Sequence, residues 1–436
     1  MPVKQRVVCW AICGAFCATG AHVAQAQERI FRQHPVETTV VPSQNSPDPQ
    51  GNTQGNSSSN DDGLGLRLGS FVIDSSIEGG IDYTDNVFST DTNKTSDRIY
   101  SLNSSIGLSS DWSRHSLRFS LDSSREFYEK NSSEDTYSIN AAGQLRIDIT
   151  RDTTLDLRTG FSVGQENRGS VDLNVNAEEP TDIYSFNASA TINHRINRAT
   201  MSLRGGIQTY DYENTPLSNG TVDNNSDRNY YEVNTTLRVG YDISPRLIVF
   251  SELNYAELVH DQRVDDNGNI RDSHSYGASA GVAVALSEAL SGEISIGYRK
   301  AIFDDATFDD VDALVVNASL RWAPSELTEI TANFATDLGE TTLGGSSGSV
   351  TRTASVNVTH ALRDNIELNA SASIDFDDFS GLSLEETTYN ASFGVDYDLG
   401  RKMTVGARYS YEKFDNSTSG SDYETNTVGV RLTYAD

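Results

Sequence analysis

From about residue 70 to its end, the chain alternates apolar and polar side chains with a period of two. In the last segment Val428, Val430, Leu432 and Tyr434 alternate with Thr427, Gly429, Arg431 and Thr433. In the segment before it, Met403, Val405, Ala407, Tyr409 and Tyr411 alternate with Thr404, Gly406, Arg408, Ser410 and Glu412. A period of two places each set on one face of a strand. Here one face is apolar and the other carries charge. About eighteen such segments succeed one another with no helical pattern between them. That is the pattern of a transmembrane barrel, with lipid outside and water inside. The expected fold class is all-β: a single antiparallel transmembrane β-barrel of about 18 strands, preceded by a signal peptide and a disordered segment. A soluble β-helix or sandwich array would also alternate. The loop rhythm, the terminal aromatic strand and the leader favour the barrel.

The segments predict strands near 70–83, 97–110, 115–128, 136–149, 153–165, 182–195, 199–212, 229–242 and 246–259. They continue near 274–286, 290–302, 311–322, 327–338, 350–362, 366–377, 387–399, 402–414 and 423–434. Tight turns fall at 111–114, 150–152, 197–198, 244–245, 287–288, 324–325, 363–364 and 400–401. Longer loops fall between them, at 166–181, 213–228, 260–273, 339–349 and 415–422 among others. In outer-membrane barrels the short turns are periplasmic and the long loops extracellular. An even strand count then leaves both termini in the periplasm.

Residues 1–26 read as a signal peptide. Lys4 and Arg6 form a basic start, Val7 to Ala21 an apolar core, and Ala24-Gln25-Ala26 a small-x-small cleavage site. All three cysteines, Cys9, Cys13 and Cys17, lie inside it, so disulfides and thiolate metal sites are not expected in the mature chain. Residues 27–69 are rich in Gln, Asn, Ser, Pro and Gly and read as a disordered periplasmic lead-in. The barrel is assigned to 70–436. The formal charge is −29, and loss of the leader makes it two units more negative, which disfavours nucleic acid as a partner. Trp112, Trp322 and Tyr434 fall near periplasmic strand ends. Tyr83, Phe88, Phe127, Tyr128, Tyr210, Tyr212 and Phe414 fall near extracellular ones, as interfacial aromatic girdles would place them.

The first strand and its loop contain Gly79-Gly80-Ile81-Asp82-Tyr83-Thr84-Asp85-Asn86-Val87-Phe88, and the first turn Ser110-Asp111-Trp112-Ser113-Arg114-His115. Arg151-Asp152-Thr153-Thr154-Leu155 and Glu179-Pro180-Thr181-Asp182 follow. This set resembles the proteobacterial family of outer-membrane β-barrel porins whose members are often linked to exopolysaccharide or capsule production. The resemblance covers about 70–436. It implies passage of polysaccharide, or of a small solute, through the outer membrane. The aromatic that commonly ends such chains stands here at Tyr434, two residues before the end.

Three constellations could carry chemistry. Arg118, Arg146, Arg158, Arg204, Arg238, Arg321, Arg408 and Arg431 sit on polar strand faces near short turns, as candidate pore-lining residues. They would form either a charged constriction or an ion-pair ladder between strands. Acids on the same faces include Asp122, Asp148, Asp156, Asp242, Glu293, Glu367 and Asp396. Loop acids form the second constellation: Asp304, Asp305, Asp309 and Asp310, then Asp375, Asp377, Asp378, Glu385 and Glu386. They suit a solvated surface better than a divalent-ion site. The third is a hydrolase site, for which the few histidines offer little. His115, His194 and His360 read as interfacial. No enzyme activity, metal or cofactor is expected.

The expected function is a porin-like conduit, with exopolysaccharide or capsular polysaccharide as cargo by resemblance. The alternatives are a general or solute-specific diffusion porin and a non-conducting adhesion or structural barrel. A long loop folded into the lumen would favour the diffusion porin. The expected partners are outer-membrane lipid and lipopolysaccharide, the barrel assembly machinery, and, for the polysaccharide reading, that polymer and a periplasmic export component.

Overall fold

The computed structural model describes residues 65–436 except 167, 169, 171, 175 and 418–421. The assigned signal peptide and nearly all of the assigned lead-in lie outside the described residues. Eighteen long strands follow in order: β1 (Phe71–Thr84), β2 (Asp97–Ser110), β3 (Ser116–Tyr128), β4 (Thr136–Thr150), β5 (Thr153–Gln165) and β6 (Asp182–Ile196). Then come β7 (Ala199–Tyr212), β8 (Tyr230–Ser244), β9 (Leu247–His260), β10 (Ser273–Ser287), β11 (Leu290–Phe303) and β12 (Val311–Ser325). The last six are β13 (Thr328–Gly339), β14 (Gly348–Arg363), β15 (Ile366–Ser380), β16 (Leu384–Asp398), β17 (Met403–Asn416) and β18 (Tyr423–Ala435). Ahead of β1, Leu66–Leu68 folds back on Phe71–Ile73 as a short antiparallel pair.

Each strand pairs antiparallel with its sequence neighbours, and β18 returns to β1 from Ser76↔Ala435 to Thr84↔Thr427. Closure removes the sheet edges except where the outer halves of β12 and β13 part. At the seam Gly429 packs against the Asp82 carboxylate, so a Cβ there would displace Asp82. Turns at one end have two to five residues, whereas loops at the other reach seventeen, at 213–229. Register shifts at Asp148/Thr150, Asp242/Ser244, Ala285/Ser287, Trp322/Ser325 and Ala361/Arg363 all lie beside short turns. There an extra residue adds the local twist that helps reverse the chain.

The outer face is the apolar one. Ile81, Leu102, Leu203, Leu253, Ile294, Val405 and Val430 are exposed along it. In a water-soluble protein so large an apolar surface would need a partner; in a bilayer lipid supplies it. Tyr83, Phe127, Trp112, Trp322 and Tyr434 are exposed on this face as expected. Tyr210, Tyr212 and Phe414 are not. Tyr210 and Phe414 are buried inside, and Tyr212 joins Tyr210 on the inner wall. Position along the strand suggested a girdle, but parity decides the face. Tyr210 and Tyr212 share the parity of Arg204, and Phe414 that of Arg408. The same holds for Tyr128, which shares the parity of Arg118.

The outer-end strands run longer than the sequence suggested. β15 continues to Ser380 and β16 begins at Leu384. Asp375, Asp377, Asp378, Glu385 and Glu386 are therefore strand residues and not loop acids. Asp375 and Asp377 are buried on the inner face, where Thr353 and Thr351 donate to them at 2.8 and 2.5 Å.

Candidate functional site: a hairpin folded into the lumen

All eight candidate arginines have inward parity, alternating with the exposed apolar residues of their strands. Arg238, Arg146, Arg321 and Arg431 make ion pairs on the wall. Arg238 is the most enclosed: its two terminal nitrogens bind Glu293 at 2.8 and 2.6 Å, one also binds Glu252 at 3.0 Å, and Phe250 stacks on the guanidinium at 3.6 Å. Arg146 pairs with Asp148 at 3.2 Å, Arg321 with Glu329 at 2.6 Å, and Arg431 with Glu78 at 3.3 Å. For these four the structure shows the ion-pair ladder. Arg118, Arg158 and Arg204 lie with Arg146 and Arg238 on one arc, β3–β8. Arg408 sits beside Arg431 on the seam side, near Asp396 and Glu78. The set is therefore two groups on different arcs, with Arg321 apart from both on β12, and not a uniform ring.

Sequence reading missed the feature that occludes the lumen. The β12–β13 ladder stops at Ala318↔Phe334, although β12 begins at Val311 and β13 runs on to Gly339. Above that point β13 stays paired with β14, out to Gly339↔Ser349. β14 in turn stays paired with β15 out to Gly348↔Ser380, so the wall splits between β12 and β13 and the outer end of β13, with β14 behind it, curls inside β11 and β12. Asp337 of β13 thereby reaches past β12 to Arg299 of β11, at 2.6 Å. Leu338 and Val350 pack with Ala301, Val311 and Ala313, against Phe303. Val311 and Ala313 face inward, so the hairpin covers the inner wall. One signal existed in the sequence. Val311, Ala313 and Val315 are apolar on the inward face while Leu314 and Val316 are apolar on the outward one. A strand with two apolar faces is covered on both.

The hairpin carries loop 340–347 across the barrel, and five contacts anchor it. Arg271, fully buried, donates to the carbonyls of Thr341, Leu343 and Ser346, the last two at 3.0 Å, and binds Asp265 at 2.6 Å. Glu340 approaches His260 Nε2 at 3.4 Å. Thr341 donates to Asp172 in the β5–β6 loop at 3.2 Å. Eight strands separate those two loops, so the link crosses the lumen. Burial pushes the Asp265 carboxyl up, but the Asn269 backbone N–H and the Arg271 guanidinium outweigh burial and hold it below the ordinary range.

Opposite the hairpin the receiving wall is tyrosine-rich. Tyr210, Tyr212 and Tyr230 line a cleft with Glu166, Asp172 and Arg228, closed on the far side by Glu340, Thr341 and Thr351. Arg228 forks onto Glu166 at 3.0 and 2.7 Å and lies over the Tyr212 ring at 4.1 Å. Burial opposes its charge, but Glu166 outweighs burial and pushes the guanidinium above its ordinary value. The neighbouring loops are braced as well. Arg168 binds Glu134 at 2.7 and 2.6 Å, and Leu173, Ala177 and Leu217 form a small core. The sequence reading weighed acids in other loops and not the arginines that clamp these. His194 and His360 lie on outward strand faces, and His115 lies in a turn.

Below the hairpin the mid-lumen is lined by amides and hydroxyls. Asn103 bonds Ser124 at 2.6 Å, Asn140 bonds Ser162 at 2.6 Å, and Asn369 bonds Thr359 at 3.1 Å. Asn254 and Asn317 each carry an inward carbonyl oxygen without a hydrogen-bond partner.

A closed 18-stranded antiparallel barrel, apolar outside, polar inside and narrowed by an inward segment, is the architecture of an outer-membrane porin. The chain belongs to the family described as putative beta-barrel porin 2, whose model matches residues 61–436. It is a protein of the cell outer membrane. No curated protein matches the sequence. Among solved structures, the copper transporter OprC has a TM-score of 0.46 at 6% identity, covering 85% of this chain and 81% of that one. Outer-membrane protein OpdK of Pseudomonas aeruginosa has a TM-score of 0.41 at 10% identity, covering 84% and 99%. The FrpB iron transporter of Neisseria meningitidis has a TM-score of 0.43 at 9% identity, covering 85% and 82%.

Proposed function

We propose that this protein is a constricted diffusion channel that passes a small polar solute across the outer membrane. The observation that carries this reading is the β13–β14 hairpin, which narrows the barrel from inside and faces a polar cleft beside Tyr210, Tyr212 and Tyr230. Constriction by an inward segment lets a wide barrel discriminate among solutes, because selection depends on the narrowest polar section. In this reading the chain is a conduit and not a catalyst. It is inserted by the barrel assembly machinery and meets lipopolysaccharide with its outer loops.

A second reading is export of an exopolysaccharide or capsular polysaccharide, and it has its own observation. Neutral amides and hydroxyls at mid-lumen, with tyrosines above them, suit sugar hydroxyls and sugar faces. Conductance of purified protein in planar bilayers tests both. Discrete steps insensitive to oligosaccharide support the diffusion channel. Steps interrupted by long oligosaccharide blocks favour the polysaccharide conduit. No steps under any condition would leave a non-conducting structural barrel.

A further inference from the structure

We propose that the β13–β14 hairpin is a gate that can zip back into the barrel wall. The inference rests on the channel reading above and assigns its moving part. In the closed form seen here, β12 and β13 are paired only in their periplasmic halves, from Ala318↔Phe334 downward. Above that point the outer half of β12 runs on as a strand that β13 no longer accompanies. Continuing the existing register upward would set Val316 opposite Thr336 and Leu314 opposite Leu338. Both pairs have outward parity, like the lipid-facing Leu320.

Alternation on β13 is what makes both positions tenable. Ala335 and Asp337 keep inward parity, and Thr336 and Leu338 keep outward parity. Folded in, Leu338 of the outward set packs on the inner faces of β11 and β12. Zipped up, the same set would meet lipid. Insertion would add one strand spacing, about 4.8 Å, to the circumference of the outer half and clear the hairpin from the lumen. The anchors that resist it are the Arg299–Asp337 pair, the apolar cluster at Val311, and the Arg271 bonds to loop 340–347.

Paired cysteines test this. The native cysteines are confined to positions 9, 13 and 17, ahead of the barrel. Leu314 is exposed on the lipid face, whereas Leu338 is buried behind β12, so the strand separates them in the closed form. A Leu314→Cys/Leu338→Cys protein should nevertheless form its disulfide under mild oxidation. Its conductance should then rise severalfold over its reduced form. Val311→Cys/Val350→Cys, which links the closed packing, should lower conductance, and dithiothreitol should restore it. Val316→Cys/Thr336→Cys probes the same register lower down, should the first pair assemble poorly. No disulfide in either register pair, in folded heat-modifiable protein whose single cysteines react with small thiol reagents, overturns the gate. So does an open-register disulfide that leaves conductance unchanged. If wild-type protein never conducts, the channel reading fails, while disulfide yield still decides whether the hairpin zips.

Discussion

Arg238 shows how a lumenal charge can be scaffold. Its guanidinium is enclosed by Glu293, Glu252 and the Phe250 ring. Removing one partner of such a pair leaves an uncompensated charge, at a cost of about 3–5 kcal/mol. Arg238→Ala should therefore lower the temperature at which the barrel loses its compact electrophoretic form. Arg321→Ala, whose pair with Glu329 is exposed, should have little effect. Equal shifts would contradict the distinction. Asp265 gives a pH dependence. Its carboxyl is depressed in the fold, so it takes up a proton less readily folded than unfolded. The anchoring it provides is complete above the ordinary value, about pH 3.9, and is lost as pH falls through the folded value. Loop 261–272 should resist protease down to roughly pH 4 and yield below it. Asp265→Asn should yield at neutral pH too. Cleavage that ignores pH in the wild type would show that Arg271 is held mainly by the loop carbonyls.

At the scale of the strand, face decides cost. Val405 and Ile294 are exposed on the apolar exterior, and Thr404 has inward parity. Arginine on the lipid face near mid-bilayer costs about 2–4 kcal/mol, while one in the lumen stays hydrated. Val405→Arg and Ile294→Arg should thus reduce folded barrel in outer-membrane fractions, with Thr404→Arg close to wild type. Equal losses would mean that the assigned in–out register is wrong. The strands were legible because alternation is local: β2, β5 and β7 have the bounds that their residues predicted. Face was legible too, and the aromatic error came from reading depth in place of parity. The hairpin was not legible as such. The apolar run Ala313-Leu314-Val315-Val316 announces a covered strand, but nothing nearby names the cover. Leu338 and Val350 keep ordinary barrel alternation.

Across the whole molecule, the lumenal charge is divided by arc. Arg158 and Arg204 lie on the β3–β8 side and Arg408 on the seam side. Neutralising all three with glutamine should move the reversal potential in asymmetric salt toward cation selectivity, since counter-charged solute concentrates where walls narrow the water. An unchanged potential in a normally folded triple variant would make these arginines scaffold as well. Orientation is tested by labelling. Gly220 and Gly268 have positive φ and tolerate a side chain poorly, so cysteines belong at the exposed neighbours Ser218 and Asn267. Both should react with an impermeant thiol reagent on intact cells, whereas Arg198→Cys, at a short turn, should not. The reverse pattern would invert the barrel.

By itself the sequence determined a closed barrel with lipid outside and water inside, its strand number, and the parity that puts each arginine on the inner wall. These follow from a period-two pattern and short turns, which act between neighbours in the chain. Which arginines are neutralised, and where the lumen is narrowest, was decided only by the tertiary structure. Arg299 with Asp337, Arg271 with loop 340–347, and Thr341 with Asp172 join residues from 38 to 169 positions apart. Such contacts exist only once the sheet has curled and the loops have folded inward, which brings segments far apart in the chain within reach of a single side chain.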